Sequence, residues 1–183
     1  MGEQAFRYQS QYCEENIWFL CQEQMFAQYK RKVVFISNPN RTCLLWHQKA
    51  ATASTEPVVW DYHVILLCQQ PHWMIWDLDT ALGLPITAGE YLDKTFALTN
   101  TVFQQYAPLF RVMDATAFIE TFSSDRSHMR DRRGQWLAPP PVWSLITIGD
   151  TLTLDKFIDM RTEWVGDLLT LDGIQTRYGQ PSA

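Results

Sequence analysis

The chain is short of several things, and each shortage narrows what it can do. None of its 183 residues fall in an apolar run approaching the roughly 18 that a membrane span requires, so no membrane partner is expected. Basic residues are scarce: 15 Lys and Arg face 20 Asp and Glu, for a net charge of -5. That is the reverse of the basic excess that draws proteins to nucleic acid. The four cysteines, Cys13, Cys21, Cys43 and Cys68, form no CxxC pair and show no metal-ligand spacing, and the first residues carry no apolar signal region. No metal is expected, and the chain reads as a soluble protein of a reduced intracellular compartment, the cytoplasm with the nucleus as a second location. Internal repeats and low-complexity tracts are absent.

What is present is an aromatic-rich core. With 46% hydrophobic residues, including 8 Trp, 10 Phe and 7 Tyr, the chain can bury one substantial core. The reading is a single monomeric domain over residues 12–183, preceded by a polar, loosely held arm over 1–11.

Residues 57–80 organise the rest. Two runs rich in Val, Ile, Leu and Trp flank the polar break Gln69-Gln70-Pro71-His72, the pattern of a β-hairpin. Each run holds a residue that strand propensity does not explain, His63 in the first and Asp77 in the second. A turn centred near Gln70 sets those two directly opposite, where an imidazole and a carboxylate can hydrogen-bond. A slip of two residues would bring Asp79 opposite His63 instead. Asp61, two residues along the same strand, is a poorer partner. A carboxylate that fixes a histidine tautomer is two-thirds of a nucleophile, base and orienter set.

The nucleophile comes from the start of the chain. Ile17, Leu20, Cys21 and Met25 recur at helical spacing, with Glu14 and Glu15 where a first helical turn favours acids. Cys13 therefore opens a helix, where the partial positive charge and free N–H groups favour a thiolate. Its backbone N–H is well placed as one oxyanion donor, with Gln9 and Gln11 as polar groups just upstream. Cys21, Cys43 and Cys68 lie in apolar runs and read as buried, inert thiols.

Further elements follow in order. Val33 to Ser37 and Thr42 to Trp46 read as a second hairpin about Asn38-Pro39-Asn40-Arg41. Helices are expected over 88–98, 117–122, 153–160 and from a Thr170 cap to Tyr178, with a strand at 110–113. Between 123 and 148 runs a long loop with a proline triplet at 139–141. Its Arg126, Arg130, Arg132 and Arg133 read as a solvated surface, since Asp125 and Asp131 sit beside them. A thiol on a helix start beside a His-Asp pair on an antiparallel sheet is the α+β arrangement of papain-like and transglutaminase-like thiol enzymes.

Five short motifs carry a closer likeness. They are Tyr12-Cys13-Glu14-Glu15-Asn16, Phe35-Ile36-Ser37-Asn38, Val59-Trp60-Asp61-Tyr62-His63-Val64, Asp77-Leu78-Asp79-Thr80 and Ser124-Asp125-Arg126-Ser127-His128-Met129, followed by Trp136 and the prolines. In this order they resemble the protein N-terminal glutamine amidohydrolases. The resemblance implies that Cys13, His63 and Asp77 are the catalytic residues and that the core is papain-like. It also implies deamidation of an N-terminal glutamine to glutamate and ammonia without a cofactor, feeding the arginylation branch of the N-degron pathway. The partner is then a protein or peptide with a free N-terminal Gln. A cationic α-amino group needs an acid: Asp125 is favoured, with Glu14 and Glu15 as alternatives. Trp60 and Tyr62 are candidate walls of a pocket that separates Gln from Asn. His128 shows no partner in the sequence and receives no role. The rivals are another thiol hydrolase or acyltransferase on this scaffold, and a silent module that binds N-terminal residues.

Overall fold

The computed structural model describes residues 6–96 and 104–180. Its strands alternate buried side chains to two faces, so the sheet they form is covered on both sides. In β1 (Lys30–Ser37), Val33 and Phe35 enter one core and Val34 and Ile36 the other. The order is β6 (Ile86–Thr87), β5 (Trp73–Trp76), β4 (His63–Gln69), β1, β7 (Leu109–Asp114) and β8 (Asp167–Leu169), antiparallel throughout. α1 (Cys13–Leu20), α3 (Ala115–Thr121) and α4 (Leu154–Ile158) cover one face. α2 (Ala88–Phe96) and α5 (Leu171–Ile174) cover the other. This is the expected α+β architecture, an antiparallel sheet packed by helices. Among the described residues no helix is long and apolar enough to cross a membrane.

Two local expectations change. The turn after Ser37 exists, held by Asn38, whose Oδ1 accepts from the N–H groups of Asn40 and Thr42 and whose Nδ2 donates to Thr42 O. It does not close a hairpin, however. β2 (Cys43–Leu45) leaves the main sheet and pairs with β3 (Val58–Trp60), which frees β1 to lie between β4 and β7. The central hairpin also turns about Pro71 rather than Gln70: Gln69 pairs with Trp73, and Leu66 faces Trp76. The helix at 88–98 is described to Phe96, and its last two residues lie outside the described residues.

The loop over 123–148 is pinned from inside. Arg126 is 5% exposed and makes a two-pronged ion pair with Glu15 in α1, with Nε to Oε1 and Nη2 to Oε2 both at 2.7 Å. Its remaining N–H groups donate to the carbonyls of Pro141, Trp143 and Ser144, and Trp143 Nε1 donates to Glu15 Oε2 at 2.5 Å. Of the basic run read as solvated surface, Arg126 is thus a buried structural residue. Full burial of Glu15 requires such a partner, because an unpaired charge in the interior is costly. Of the arm over 1–11, the part from Phe6 onward lies against the body. The Phe6 ring meets Trp76, Arg7 sits over Phe19, and the backbone of Gln9 exchanges two hydrogen bonds with the Asn16 side chain.

Replacing Arg126 with Leu leaves Glu15 buried without its partner and is expected to destabilise the fold by about 3–5 kcal/mol. The double replacement of Glu15 and Arg126 by Leu should recover part of that loss. Midpoints of denaturant unfolding check both.

Candidate active site

The site forms where β4 begins and β5 has just ended. The β4–β5 ladder stops at Leu66 and Trp76, and the chain turns in at Asp77, with Thr80 N bonded back to Asp77 O. That inward turn rescues the pairing which the displaced register alone would have passed to Asp79. His63 Nε2 meets Asp77 Oδ1 at 2.8 Å, with the two side chains 1% and 0% exposed. Asp77 is saturated by three further donors: Asp79 N to Oδ1, and Gln48 Nε2 and Tyr91 Oη to Oδ2.

This environment decides charge. Burial alone would push the His63 imidazole down, but the adjacent Asp77 carboxylate outweighs it and holds His63 above its ordinary value. Burial likewise pushes the Asp77 carboxyl up, and His63 together with its hydrogen bonds holds it below the usual carboxylate range. An acceptor facing Nε2 keeps the ring proton there. His63 Nδ1 has no hydrogen-bond partner among the described residues. The Trp60 ring stacks on His63 with centroids 5.7 Å apart, fixing the plane of the imidazole.

Cys13 is the first residue of α1, which packs against β4, and it is 8% exposed. It lines a cavity of about 180 Å³ together with Gln11, Trp60, Asp61, Tyr62, Asp79 and His128. The thiol is pushed well up, first by burial, then by Glu14 and Asp79, while the Val64 backbone N–H bonded to it lowers it only in part. A helix start contributes on the order of 0.3–1 kcal/mol to an anion. Full desolvation shifts a buried group by as much as about 3–5 pKa units, several kcal/mol, so burial wins. The expected helix-stabilised thiolate is therefore a protonated thiol at rest.

The candidate substrate acids separate clearly. Asp125 is exposed, its Oδ1 accepts from Ser127 N, and it is not part of the cavity lining. Glu15 is committed to Arg126. Glu14 is fully buried directly behind the cavity, with Oε2 3.7 Å from Cys13 Sγ and Oε1 3.5 Å from His128 Nε2. Tyr62 Oη lies 3.2 Å from the same His128 nitrogen. Of the two upstream glutamines, Gln11 lines the cavity on a left-handed backbone of φ 71°, whereas the main chain of Gln9 is engaged with Asn16.

Sequence reasoning missed Gln48, Tyr91 and Tyr8, whose hydroxyl donates to Asp79 Oδ1 at 2.5 Å. No local signal marks them. Each comes from a different segment, and only folding brings them to the acids at the end of β5. The cluster His63, Asp77 and Asp79 also places three potential ligand atoms within 4.8 Å of one another. Of these residues, His63 Nε2 and Asp77 Oδ1 are bonded to each other.

Comparison with known proteins places this chain in a family. The family model for N-terminal glutamine amidase matches residues 8–178. Human protein N-terminal glutamine amidohydrolase is 38% identical over 181 residues, covering 94% of this chain and 87% of that protein. The proteins of the same name from Danio rerio and Arabidopsis thaliana are 37% and 36% identical, covering 94% and 87% of this chain and 89% and 78% of theirs. The chain belongs to the N-terminal glutamine amidase family.

Proposed function

We propose that this chain hydrolyses the side-chain amide of an N-terminal glutamine on a protein or peptide, using Cys13 as nucleophile, His63 as base and Asp77 as orienting acid. The observation that carries the reading is the buried His63–Asp77 bond, which holds one ring nitrogen and leaves the other unpaired, in a chain of this family. The arrangement supports a papain-like or transglutaminase-like division of labour, with the thiol on a helix start and the pair on the sheet.

As substrate binds, His63 Nδ1 takes the Cys13 proton while Sγ attacks the glutamine Cδ. The oxyanion then needs donors: the Cys13 N–H is one, and Gln11 is the better placed of the two glutamines for the second. Collapse breaks the C–N bond, and the leaving nitrogen takes the proton back from Nδ1 to depart as ammonia. A thioester remains. Water, deprotonated by the same nitrogen, cleaves it to glutamate and free thiol. No step calls on a cofactor. Throughout, Asp77 keeps the proton on Nε2 and stabilises the imidazolium.

Glu14 is the acid we assign to the α-ammonium, in place of Asp125, because it is buried beside Cys13 while Asp125 faces solvent. Trp60 and Tyr62 wall the cavity and set how deep the carboxamide reaches. In a eukaryotic cell the product, an N-terminal glutamate, would enter the arginylation branch of the N-degron pathway.

Ammonia release from a peptide beginning with Gln is the test, run beside peptides beginning with Asn, with internal Gln, and with an acetylated N-terminus. Release from the first alone is expected, with the mass gain of an amide turned to acid. Asn, one methylene short, should lose about 10- to 200-fold in kcat/KM. Equal release from the acetylated peptide would move the protein to a broader amidase. Cys13→Ala and Cys13→Ser should abolish turnover and keep the fold, and Asp77→Asn should cost far more rate than Asp79→Asn.

The pH profile follows from the same charges. His63 must be neutral to accept the thiol proton, so kcat should fall as pH drops through the raised His63 value, with a midpoint above 6.5. In Asp77→Asn the carboxylate is gone and burial dominates, so the residual activity should have its midpoint shifted down. Single-turnover rates across pH check the sign.

A further inference from the structure

His128 lines the cavity but takes no part in the reaction above. Its ring is 26% exposed, and Nε2 is shared between Glu14 Oε1 at 3.5 Å and Tyr62 Oη at 3.2 Å. Behind it, Glu14 has no exposed surface, and its Oε1 has no hydrogen-bond partner among the described residues. A carboxylate so placed needs a counter-charge. Arg126 is spent on Glu15, which leaves His128 facing Glu14 in the empty site.

We propose that His128 is the internal counter-ion which the α-ammonium of the substrate replaces. In the empty enzyme the imidazolium neutralises Glu14. When the ammonium enters, His128 gives its proton to solvent, and Nε2 becomes an acceptor for one of the incoming N–H groups. One positive charge leaves the cavity as another arrives, so Glu14 is never without a partner. The inference rests on the reading that the substrate presents a free N-terminal amine.

Neighbouring charges support the exchange. Glu14 and Glu15 face His128 from α1, Asp61 from the turn before β4, and Asp125 from its own loop. Burial pushes the imidazole down, but the Glu14 carboxylate 3.5 Å away, with Asp61 and Glu15, outweighs it and holds His128 above its ordinary value. The Tyr62 phenol and Cys13 thiol are both pushed well up, so neither contributes charge in the neutral range. The sign is then fixed. Below the His128 titration the imidazolium competes with the ammonium for Glu14 and binding weakens.

The experiment is titration calorimetry on Cys13→Ala, which binds without turnover, using a Gln-initiated peptide with a free amine, in buffers of different ionisation enthalpy. Affinity should fall by up to about tenfold per pH unit below the His128 titration, with a proton released for each peptide bound. His128→Gln added to Cys13→Ala retains an acceptor oxygen that does not titrate, and its affinity should lose that slope. An equal slope in that variant, or binding without proton release, overturns the proposal. If the variant fails to fold, imidazole NMR of Cys13→Ala decides: peptide should lower the His128 titration, and an unmoved one sinks the idea. The unsubstituted enzyme tests the underlying activity separately. Ammonia release with pH-independent binding removes only the His128 exchange, whereas no release from the free-amine peptide removes the amidohydrolase reading itself.

Discussion

The site depends on one buried carboxylate. Asp77 is fully enclosed and accepts from His63, the Asp79 backbone, Gln48 and Tyr91. Those donors come from β4, the turn after β5, the segment after β2 and α2. A charge in the interior is tolerated only when its lone pairs are met, so satisfying Asp77 forces these segments into register with one another. The N-terminal arm joins at one remove, through Tyr8 on Asp79. The same contacts that stabilise the acid aim the imidazole.

Around that anchor the chain places an unusual density of negative charge next to a thiol. Glu14 and Asp79 raise Cys13, and burial raises it further, so the helix start does not deliver a standing thiolate. Under the proposed mechanism, a thiol that rests protonated acts as a nucleophile only once His63 takes its proton. Glu15 and Glu14 are adjacent in sequence yet divide the work. Glu15 is paired with the Arg126 guanidinium, whereas Glu14 faces the Cys13 thiol and the His128 imidazole, which can lose its proton. Adjacent helical positions point in different directions, which sets Glu15 against Arg126 and Glu14 beside Cys13 and His128.

Much of this was legible beforehand, and the misses have physical causes. A turn centred on a single residue puts His63 and Asp77 on one face, because strand side chains alternate strictly. The turn itself was centred one residue early, which shifts the ladder by two and keeps every residue on its face. Had the error been odd, the pair would have been lost. That Asp125 is exposed and Glu14 buried cannot be read from a loop's composition. Burial of Arg126 is invisible locally because its partner lies 111 positions away.

By itself the sequence determined the alternation that makes the sheet, the helix that begins at Cys13, and the residue types that acyl chemistry needs. These are local properties, set by side-chain period and composition within a few residues. Only the tertiary structure decided which acid stands behind the cavity, which arginine is buried, and how four separated segments satisfy Asp77. Those outcomes depend on desolvation and on contacts between distant parts of the chain. Burial is a property of the whole fold, and it overrides the weaker preferences written into any one stretch.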